Sequence, residues 1–231
     1  MLRKKERNTA VGEMMELLSH YIKNIFQSIN GGTYLVESGL KGKDLELVEE
    51  GWLMVQRNQE YLSGLLMDML AYSKPRAPKL TAGDLRKTIE SALRMLEKQA
   101  EHRQIAINCQ WSDEMPVIAL DSEMLQRAFQ NMFFILMQTC QTEPGGQIQV
   151  AMKRGADCIV LTLANNQSCM EASDLETIFD PFSINETVNL VGISMAVAQK
   201  SISDHGGSVG VSQDEQSGVV FHVTLPIQVS S

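Results

Sequence analysis

The sequence contains no apolar run long enough to cross a membrane. A spanning helix needs about 20 consecutive apolar residues, whereas the hydrophobic residues of this chain, 44% of the total, fall in short interrupted groups. The basic stretch "MLRKKERNTA" has no apolar core behind it and does not have the pattern of a secretory signal. We therefore expect no membrane insertion, and any sensing across a membrane would reside in a separate sensor chain.

Cysteine is scarce, and its spacing fits no known framework. The four cysteines lie scattered in apolar or loop sequence without CxxC spacing: Cys109, Cys140, Cys158 and Cys169. This distribution argues against a set of disulfides and against a zinc site. We interpret the four residues as reduced thiols of a cytoplasmic protein.

Positive charge and several common catalytic motifs are also lacking. The chain carries 20 Lys and Arg against 28 Asp and Glu, a formal net charge of -8. An acidic surface disfavours nucleic acid and anionic lipid as partners. The GxxxxGK[ST] phosphate loop, the HExxH zinc motif and the GxSxG nucleophile elbow are all absent from the sequence. These absences exclude several large classes of enzyme.

What the sequence does contain is a seven-residue apolar repeat in two segments. Alternate steps of four and three predict two long helices, each with a narrow packing stripe. The stripe positions are Leu18, Ile22, Ile25, Ile29, Gly32 and Val36, then Val48, Trp52, Val55, Gln59, Leu62, Leu66 and Met69. The turn "SGLKGKD" between them predicts an antiparallel hairpin in which Trp52 is a packing anchor. A second copy would cover the remaining stripe, so we expect a homodimeric four-helix bundle.

Beyond the hairpin the pattern changes. Two prolines and three basic residues in "SKPRAPKL" cannot continue a helix and indicate a linker. Predicted helices over 82–102, 121–141 and 192–205 then alternate with six β-rich segments. We predict an α+β protein with a hairpin at 1–73, a linker at 74–80, and helices on one face of a mixed sheet at 81–231.

Four motifs in this order resemble the catalytic core of sensor histidine kinases. They are "LSHYIKN", which resembles the phosphoacceptor box, "LDSEMLQRAFQNMF", the asparagine box, "LETIFDPF", the box before the nucleotide lid, and "HGGSVGV" with "GVVFHVTLP", the closing strands. The resemblance covers nearly all of the chain. It implies a dimerisation and histidine-phosphotransfer hairpin followed by an HSP90-like ATPase domain of the GHKL class.

The nucleotide motifs depart from the family pattern. Asn131 matches the first asparagine of its box, but the metal-binding asparagine expected four residues later is Ile135. The resemblance assigns adenine recognition to a carboxylate, and Asn165 stands at that position.

Two glycines that the family keeps close to the ligand are also replaced. Gln167 and Cys169 occupy those positions, where their side chains would fill the cradle. In the second glycine-rich box, "LVGISM" keeps Gly192 but has Ser194 at the next glycine. We therefore expect no metal and no cofactor, with Mg-ATP bound only if this degenerate site still functions.

The resemblance assigns phosphate acceptance to His20, which lies off the predicted packing stripe. The next residue in such kinases is usually an acid, but here it is Tyr21, and a phenol is a poor base at neutral pH. Asn24, one helical turn on, is a candidate phosphatase amide that would orient a water. Ile25 and Phe26 are expected to supply an apolar docking surface near His20.

Two principal hypotheses follow. In the first, the protein is a histidine phosphotransferase that exchanges phosphoryl groups at His20 with response-regulator receiver domains, which bring their own magnesium and acidic residues. In the second, it is a pseudokinase that binds a receiver or a kinase without carrying phosphate. A further alternative is an active histidine kinase with an unusual ATP site.

Overall fold

The computed structural model of this chain describes residues 2–112, 114–140, 145–166, 170–185, 190–214 and 218–227. Side chains are described for the same residues except 2–17, 20, 172, 184–185, 190–191 and 214. The chain divides into two compact units, Met1–Leu70 and Ala71–Ser231. The first unit is helical, and the second combines helices with β-strands.

The first unit is a hairpin of two long helices, α1 (Leu2–Gly42) and α2 (Leu45–Ser73). Their connection is tighter than the predicted turn, because α1 continues to Gly42. The chain reverses at Lys43, whose φ of 56° lies in the left-handed region. The Asp44 carboxylate accepts a hydrogen bond from the backbone N–H of Leu47 at 3.1 Å, and this bond caps the start of α2.

The seam between the two helices combines close backbone contact with a polar pair. A Cβ atom on Gly51 would lie 2.6 Å from the carbonyl oxygen of Gly32, and a Cβ atom on Gly32 would lie 2.7 Å from that of Gly51. Glycine at both positions is therefore what allows this approach. Further along, the hydroxyl oxygens of Tyr21 and Tyr61 lie 2.6 Å apart, with the rings in a T-shaped arrangement. The two contacts hold the helices in one antiparallel register.

The apolar repeat predicted the seam on α2 only in part: Val48 and Val55 lie against Gly39 and Gly32 of α1, but Trp52 and Leu66 do not. Buried residues of this helix include Gly51, Leu65 and Asp68, whereas the predicted stripe residues Trp52 and Leu66 are 53% and 47% exposed. The prediction that Trp52 anchors the hairpin is therefore wrong within the single chain. The inward positions of α2 include glycine, tyrosine and aspartate, which a hydrophobic repeat does not detect. The seven-residue repeat of apolar residues therefore extends onto the neighbouring, exposed face of the helix.

The α/β unit begins with one short strand and two short helices. Its elements are β1 (Thr81–Gly83), α3 (Leu85–Arg94), α4 (Glu97–His102), β2 (Ala106–Trp111), β3 (Ile118–Leu120), α5 (Ser122–Thr139), β4 (Gln147–Arg154), β5 (Cys158–Asn165), α6 (Ala172–Glu176), β6 (Ile184–Asn185), β7 (Leu190–Val191), α7 (Gly192–Asp204), β8 (Ser208–Asp214) and β9 (Gly218–Pro226). The helix predicted over 82–102 is thus replaced by β1 and two shorter helices. Asp84 caps α3 by accepting a hydrogen bond from Arg86 N, so the first of these helices begins at Leu85.

Five strands form the main sheet in the order β2-β4-β5-β9-β8. The β2 and β4 strands are parallel, and the other neighbours are antiparallel. Helix α5 packs against α3 and α7, and its Leu125, Phe129 and Phe133 are fully buried. Alternate residues of β4 and β5, such as Val150 and Leu161, complete the core. The predicted α+β fold, with helices on one face of a mixed sheet, is confirmed.

Candidate phosphoacceptor and nucleotide sites

The predicted phosphoacceptor lies in the first half of α1. His20 is within the helix, but its side chain lies outside the described residues, so its predicted role stays a prediction. Asn24 follows one turn later and is half-buried. Of the two residues predicted to form a docking surface, Phe26 is 51% exposed, whereas Ile25 is 5% exposed. The prediction for Ile25 was wrong, because the side chain is buried on the line of α1 that also carries Leu18 and Tyr21.

Tyr21 does not provide a base beside His20. Its side chain is buried, and its hydroxyl is hydrogen-bonded to that of Tyr61. Burial raises the pKa of Tyr21 well above its usual value, and the hydrogen bond from Tyr61 offsets only part of that shift. The phenol therefore stays neutral and packed against α2 throughout the physiological pH range.

Asp68 is a buried acid of the hairpin that the sequence analysis did not single out. Its side chain is 1% exposed and lies two turns beyond Tyr61 on the same helix. Burial is the largest cause that raises the pKa of Tyr61. The neighbouring Tyr21 and the charge of Asp68 raise it further. The signal in the sequence was one aspartate inside the apolar run "LLMDML". An acid in that context indicates a polar layer within the hairpin.

At the nucleotide motifs, Asn131 is engaged with the protein itself. Its side-chain amide donates to the carbonyl oxygen of Ser194 at 2.9 Å, which ties α5 to the first turn of α7. Ile135, one turn along α5, is 1% exposed and belongs to the core. It offers no oxygen to a cation, and magnesium prefers oxygen ligands in near-octahedral geometry.

Asn165 is the most extensively bonded of the predicted site residues. Its amide nitrogen donates to Leu136 O at 3.1 Å and to Thr139 Oγ1 at 2.9 Å. Its amide oxygen accepts from the backbone N–H of Val219 at 2.8 Å. The side chain is 1% exposed and connects α5, β5 and β9. A carboxylate at this position could not donate either of the first two bonds at neutral pH, so the asparagine is explained by internal hydrogen bonding.

Gly192 also has an internal explanation. A Cβ atom at this position would lie 1.8 Å from Asp180 O and 2.4 Å from Ser183 Oγ, so no larger residue fits. Its backbone N–H donates to Ser183 O at 2.9 Å, where the β6–β7 pair leads into α7. The retained glycine is therefore required by the fold. Gln167 and Cys169 lie outside the described residues.

The described residues of the nucleotide motifs are bonded within the protein or apolar. Asn131 and Asn165 are bonded within the protein, and Ile135 is apolar. Among the residues that the structure describes, no group of three or more His, Cys, Asp or Glu could hold a metal ion. Within the same ranges, no helix is long and apolar enough to span a membrane.

Comparison with known proteins agrees with this fold. Residues 120–229 match the family described as histidine kinase-, DNA gyrase B-, and HSP90-like ATPase. This match confirms the predicted resemblance of the α/β unit to that class of ATPase domain. Sensor histidine kinase ZraS of Escherichia coli (strain K12) is 23% identical over 230 residues, 99% of this chain and 48% of ZraS. Sporulation kinase E of Bacillus subtilis (strain 168) is 24% identical over 229 residues, 98% of this chain and 30% of that kinase.

Solved structures show the same architecture. The structure of histidine kinase ThkA in complex with response regulator protein TrrA matches with a TM-score of 0.67 and 20% identity, covering 97% of this chain and 64% of that one. The catalytic domain of ThkA alone matches with a TM-score of 0.56 and 19% identity, covering 65% of this chain and 97% of that domain. The chain spans half or less of the two curated relatives, and at these identities the structural likeness establishes the fold.

Proposed function

We propose that this chain is a histidine phosphotransferase of two-component signalling, which exchanges phosphoryl groups with receiver domains at His20 and does not use ATP. The observation that carries the proposal is the internal bonding of Asn131 and Asn165 beside the apolar Ile135. The positions that would hold a nucleotide serve the core of the α/β unit, whereas the helical hairpin that carries the histidine is retained.

The proposed chemistry needs few groups from this chain. A ring nitrogen of neutral His20 attacks the phosphorus of a receiver's phospho-aspartate. The nitrogen–phosphorus bond forms as the phosphorus–oxygen bond to the aspartate breaks, and the carboxylate leaves with the electron pair while the imidazole proton passes to solvent. The receiver supplies its own cation and acidic residues. A neighbouring base is not required, which is compatible with the buried Tyr21.

Two observations support a receiver as the partner. Phe26 is 51% exposed one and a half turns beyond His20, and offers an apolar contact. The similar kinase ThkA was solved with a response regulator. In a separate reaction, we propose that Asn24 orients a water for hydrolysis of the receiver's phosphate.

We also propose that the chain is a homodimer through the hairpin. Leu45, Trp52 and Leu66 repeat at seven-residue intervals on α2, with Gln59 at the remaining position, and all four are exposed in the single chain. A strip of this kind is suited to a facing helix. Light scattering at micromolar concentration should return twice the chain mass, and Trp52→Glu should return the single mass. A monomeric wild-type protein would remove the four-helix bundle from the proposal.

The decisive experiment is transfer from labelled receivers. Wild-type protein incubated with a panel of phosphorylated receiver domains should acquire label, and His20→Gln should acquire none. His20→Gln keeps a polar side chain of similar size but lacks the nucleophilic nitrogen. Helical content and dimer mass of the variant serve as controls for folding.

The second candidate function is a pseudokinase interaction module. The internal hydrogen bonds of Asn131 and Asn165 favour it as well, because these side chains already bond within the α/β unit. If no receiver labels the wild-type protein, yet a receiver binds wild type and His20→Gln equally well, the interaction module replaces the phosphotransferase.

A further inference from the structure

The predicted interdomain linker is bonded to the α/β unit over its second half. Arg76 Nη1 donates to Asp121 Oδ2 at 2.6 Å, and Arg76 Nη2 lies 3.4 Å from Asp121 Oδ1. The backbone N–H of Lys79 donates to the same Asp121 Oδ2 at 2.8 Å. We call residues 76–80 the strap. A single carboxylate therefore holds the strap at two points.

Asp121 is itself rigidly held from the other side. Its Oδ1 accepts from the backbone N–H of Met124 and caps α5. Its own backbone N–H donates to His205 Nε2 at 2.9 Å, and His205 Nδ1 donates to Ser201 O at 2.6 Å. These bonds connect the strap to the start of α5 and to the end of α7. The side chain of Asp121 is 6% exposed, whereas that of Arg76 is 42% exposed.

The strap leads directly into β1. This strand pairs with β3 in an antiparallel register in which Thr81 lies opposite Leu120, the residue before Asp121. The ladder fixes one end of the strap, and the Arg76–Asp121 ion pair fixes the other. Arg76 in the second attachment is 42% exposed, and Thr81 and Ala82 of β1 are exposed as well.

We propose that the strap is a releasable latch that sets the length of the tether between the hairpin and the α/β unit. Helix α2 ends at Ser73, so the closed latch leaves residues 74 and 75 as tether, a reach of roughly 7 Å at about 3.3 Å per residue. Release of Arg76 and Lys79 from Asp121 extends the tether to residues 74–80, a reach of roughly 23 Å. The latch thereby controls how far the α/β unit can move from the hairpin.

Acid should open the latch. Burial acts to raise the pKa of Asp121, but hydrogen bonds from Arg76, Lys79 and Met124 outweigh it and hold the pKa below its usual value. The other ionisable groups around this carboxylate are Glu123, 3.4 Å from Arg76 Nη2, and His205. A carboxylate whose pKa is lowered by folding stabilises the folded state at pH values above its unfolded-state pKa. This contribution is lost as the pH falls towards the folded-state pKa. The Lys79 amide should therefore become less protected from hydrogen exchange once the pH is lower than about 4.

Limited digestion of the whole protein with trypsin tests the latch directly. The strap contains two cleavable bonds, Arg76–Ala77 and Lys79–Leu80, whereas the Lys74–Pro75 bond resists trypsin. Asp121→Asn keeps a good helix cap but loses the charge that holds the strap. Its amide has a single accepting oxygen, so it cannot replace both carboxylate oxygens of Asp121. Cleavage after Arg76 should become about tenfold faster. Glu123→Gln, at an exposed outer position, is the matched control and should change the rate less than about twofold.

A second variant keeps the test valid if Asp121→Asn disturbs α5. Arg76→Gln leaves Asp121 intact and removes one cleavage site, so cleavage after Lys79 is the measurement, with an expected increase of about tenfold. Thermal unfolding of each variant reports whether the α/β unit remains folded. The latch is rejected if folded Asp121→Asn and Arg76→Gln are cut at the wild-type rate, or if wild type is cut as fast as an unstructured peptide of the same sequence.

Discussion

The helical hairpin and the α/β unit differ in what their polar and small residues contact. In the α/β unit, Asn131, Asn165 and Gly192 sit where a nucleotide site is expected, yet each is explained by contacts within the chain. In the hairpin, inward-facing glycines and tyrosines set the register, while the apolar residues Trp52 and Leu66 stay exposed. The polar residues of the α/β unit are therefore bonded internally, whereas the hairpin leaves large apolar side chains exposed in the single chain.

The largest expected effect comes from restoring the carboxylate of the nucleotide motif. Asn165→Asp removes the donors to Leu136 O and Thr139 and places a buried negative charge near a carbonyl oxygen. We expect the α/β unit to lose about 3 kcal/mol or more of unfolding free energy, with no gain of ATP binding. Chemical denaturation measures this loss of unfolding free energy, and hydrogen exchange of the α5 amides reports it locally.

Asn108→Asp provides the control, because it adds the same charge at an exposed position of β2. It should change stability by less than about 0.5 kcal/mol. Equal stability of Asn165→Asp and wild type would mean that Asn165 is not a structural residue.

The second effect concerns the hairpin. Gly51→Ala places a Cβ atom 2.6 Å from Gly32 O and 2.8 Å from Val36 N, and both neighbours are backbone atoms that cannot rotate away. We expect local stability of the hairpin to fall by about 2 kcal/mol, although alanine favours helix. Hydrogen exchange of α1 and α2 amides reports this local opening.

Gly64→Ala in the same helix is the matched substitution, since nothing lies within 4 Å of its added Cβ atom. It should stabilise α2 by about 0.5–1 kcal/mol. If both alanines stabilise the hairpin, the close Gly32–Gly51 approach is not present in solution.

A smaller effect is expected at the tyrosine pair. Tyr21→Phe removes the hydroxyl that contacts Tyr61 and should cost about 1 kcal/mol. It should leave phosphotransfer at His20 within about twofold, because Tyr21 is not a base in this account. Tyr34→Phe, at a side chain that is 69% exposed, should alter neither quantity. A tenfold loss of transfer with Tyr21→Phe would instead give the phenol a part in the chemistry.

The smallest effect is the expected absence of a response to nucleotide. At 1 mM Mg-ATP, a site with a dissociation constant of about 10 μM would stabilise the protein by about 2.7 kcal/mol. We expect no measurable shift in thermal unfolding and no calorimetric binding below millimolar nucleotide. Micromolar binding would remove the contrast between the two units.

The sequence predicted the fold wherever periodicity and turn residues agree. The six predicted β-rich segments form β2, β3, β4, β5, β8 and β9, and the long helix α5 and the two-helix hairpin were also anticipated. Gly206, just beyond the end of α7, has a φ of 73°, in the left-handed region that glycine adopts readily at a helix end. The short strand β1 was missed because three residues of "TAG" carry no β-pattern, and its pairing with β3 depends on long-range contact.

The candidate sites were harder to predict, because their partners are distant in the chain. Motif order identified Asn131 and Asn165, but not that Ser194, Leu136 and Val219 would bond to them. The α2 seam was predicted only in part, because Gly51 and Asp68 are buried there and a hydrophobic repeat cannot detect small or charged residues. The Arg76–Asp121 pair spans 45 residues and had no local signal.

Phosphoryl transfer measured from two donors tests the central claim most directly. Wild-type protein is incubated separately with phosphorylated receiver domains and with γ-labelled Mg-ATP, and phosphohistidine is mapped on the chain. The account predicts label at His20 from at least one receiver, none from ATP, and none from either donor with His20→Gln. Label at His20 from ATP alone would contradict it, because the α/β unit would then be a working nucleotide site.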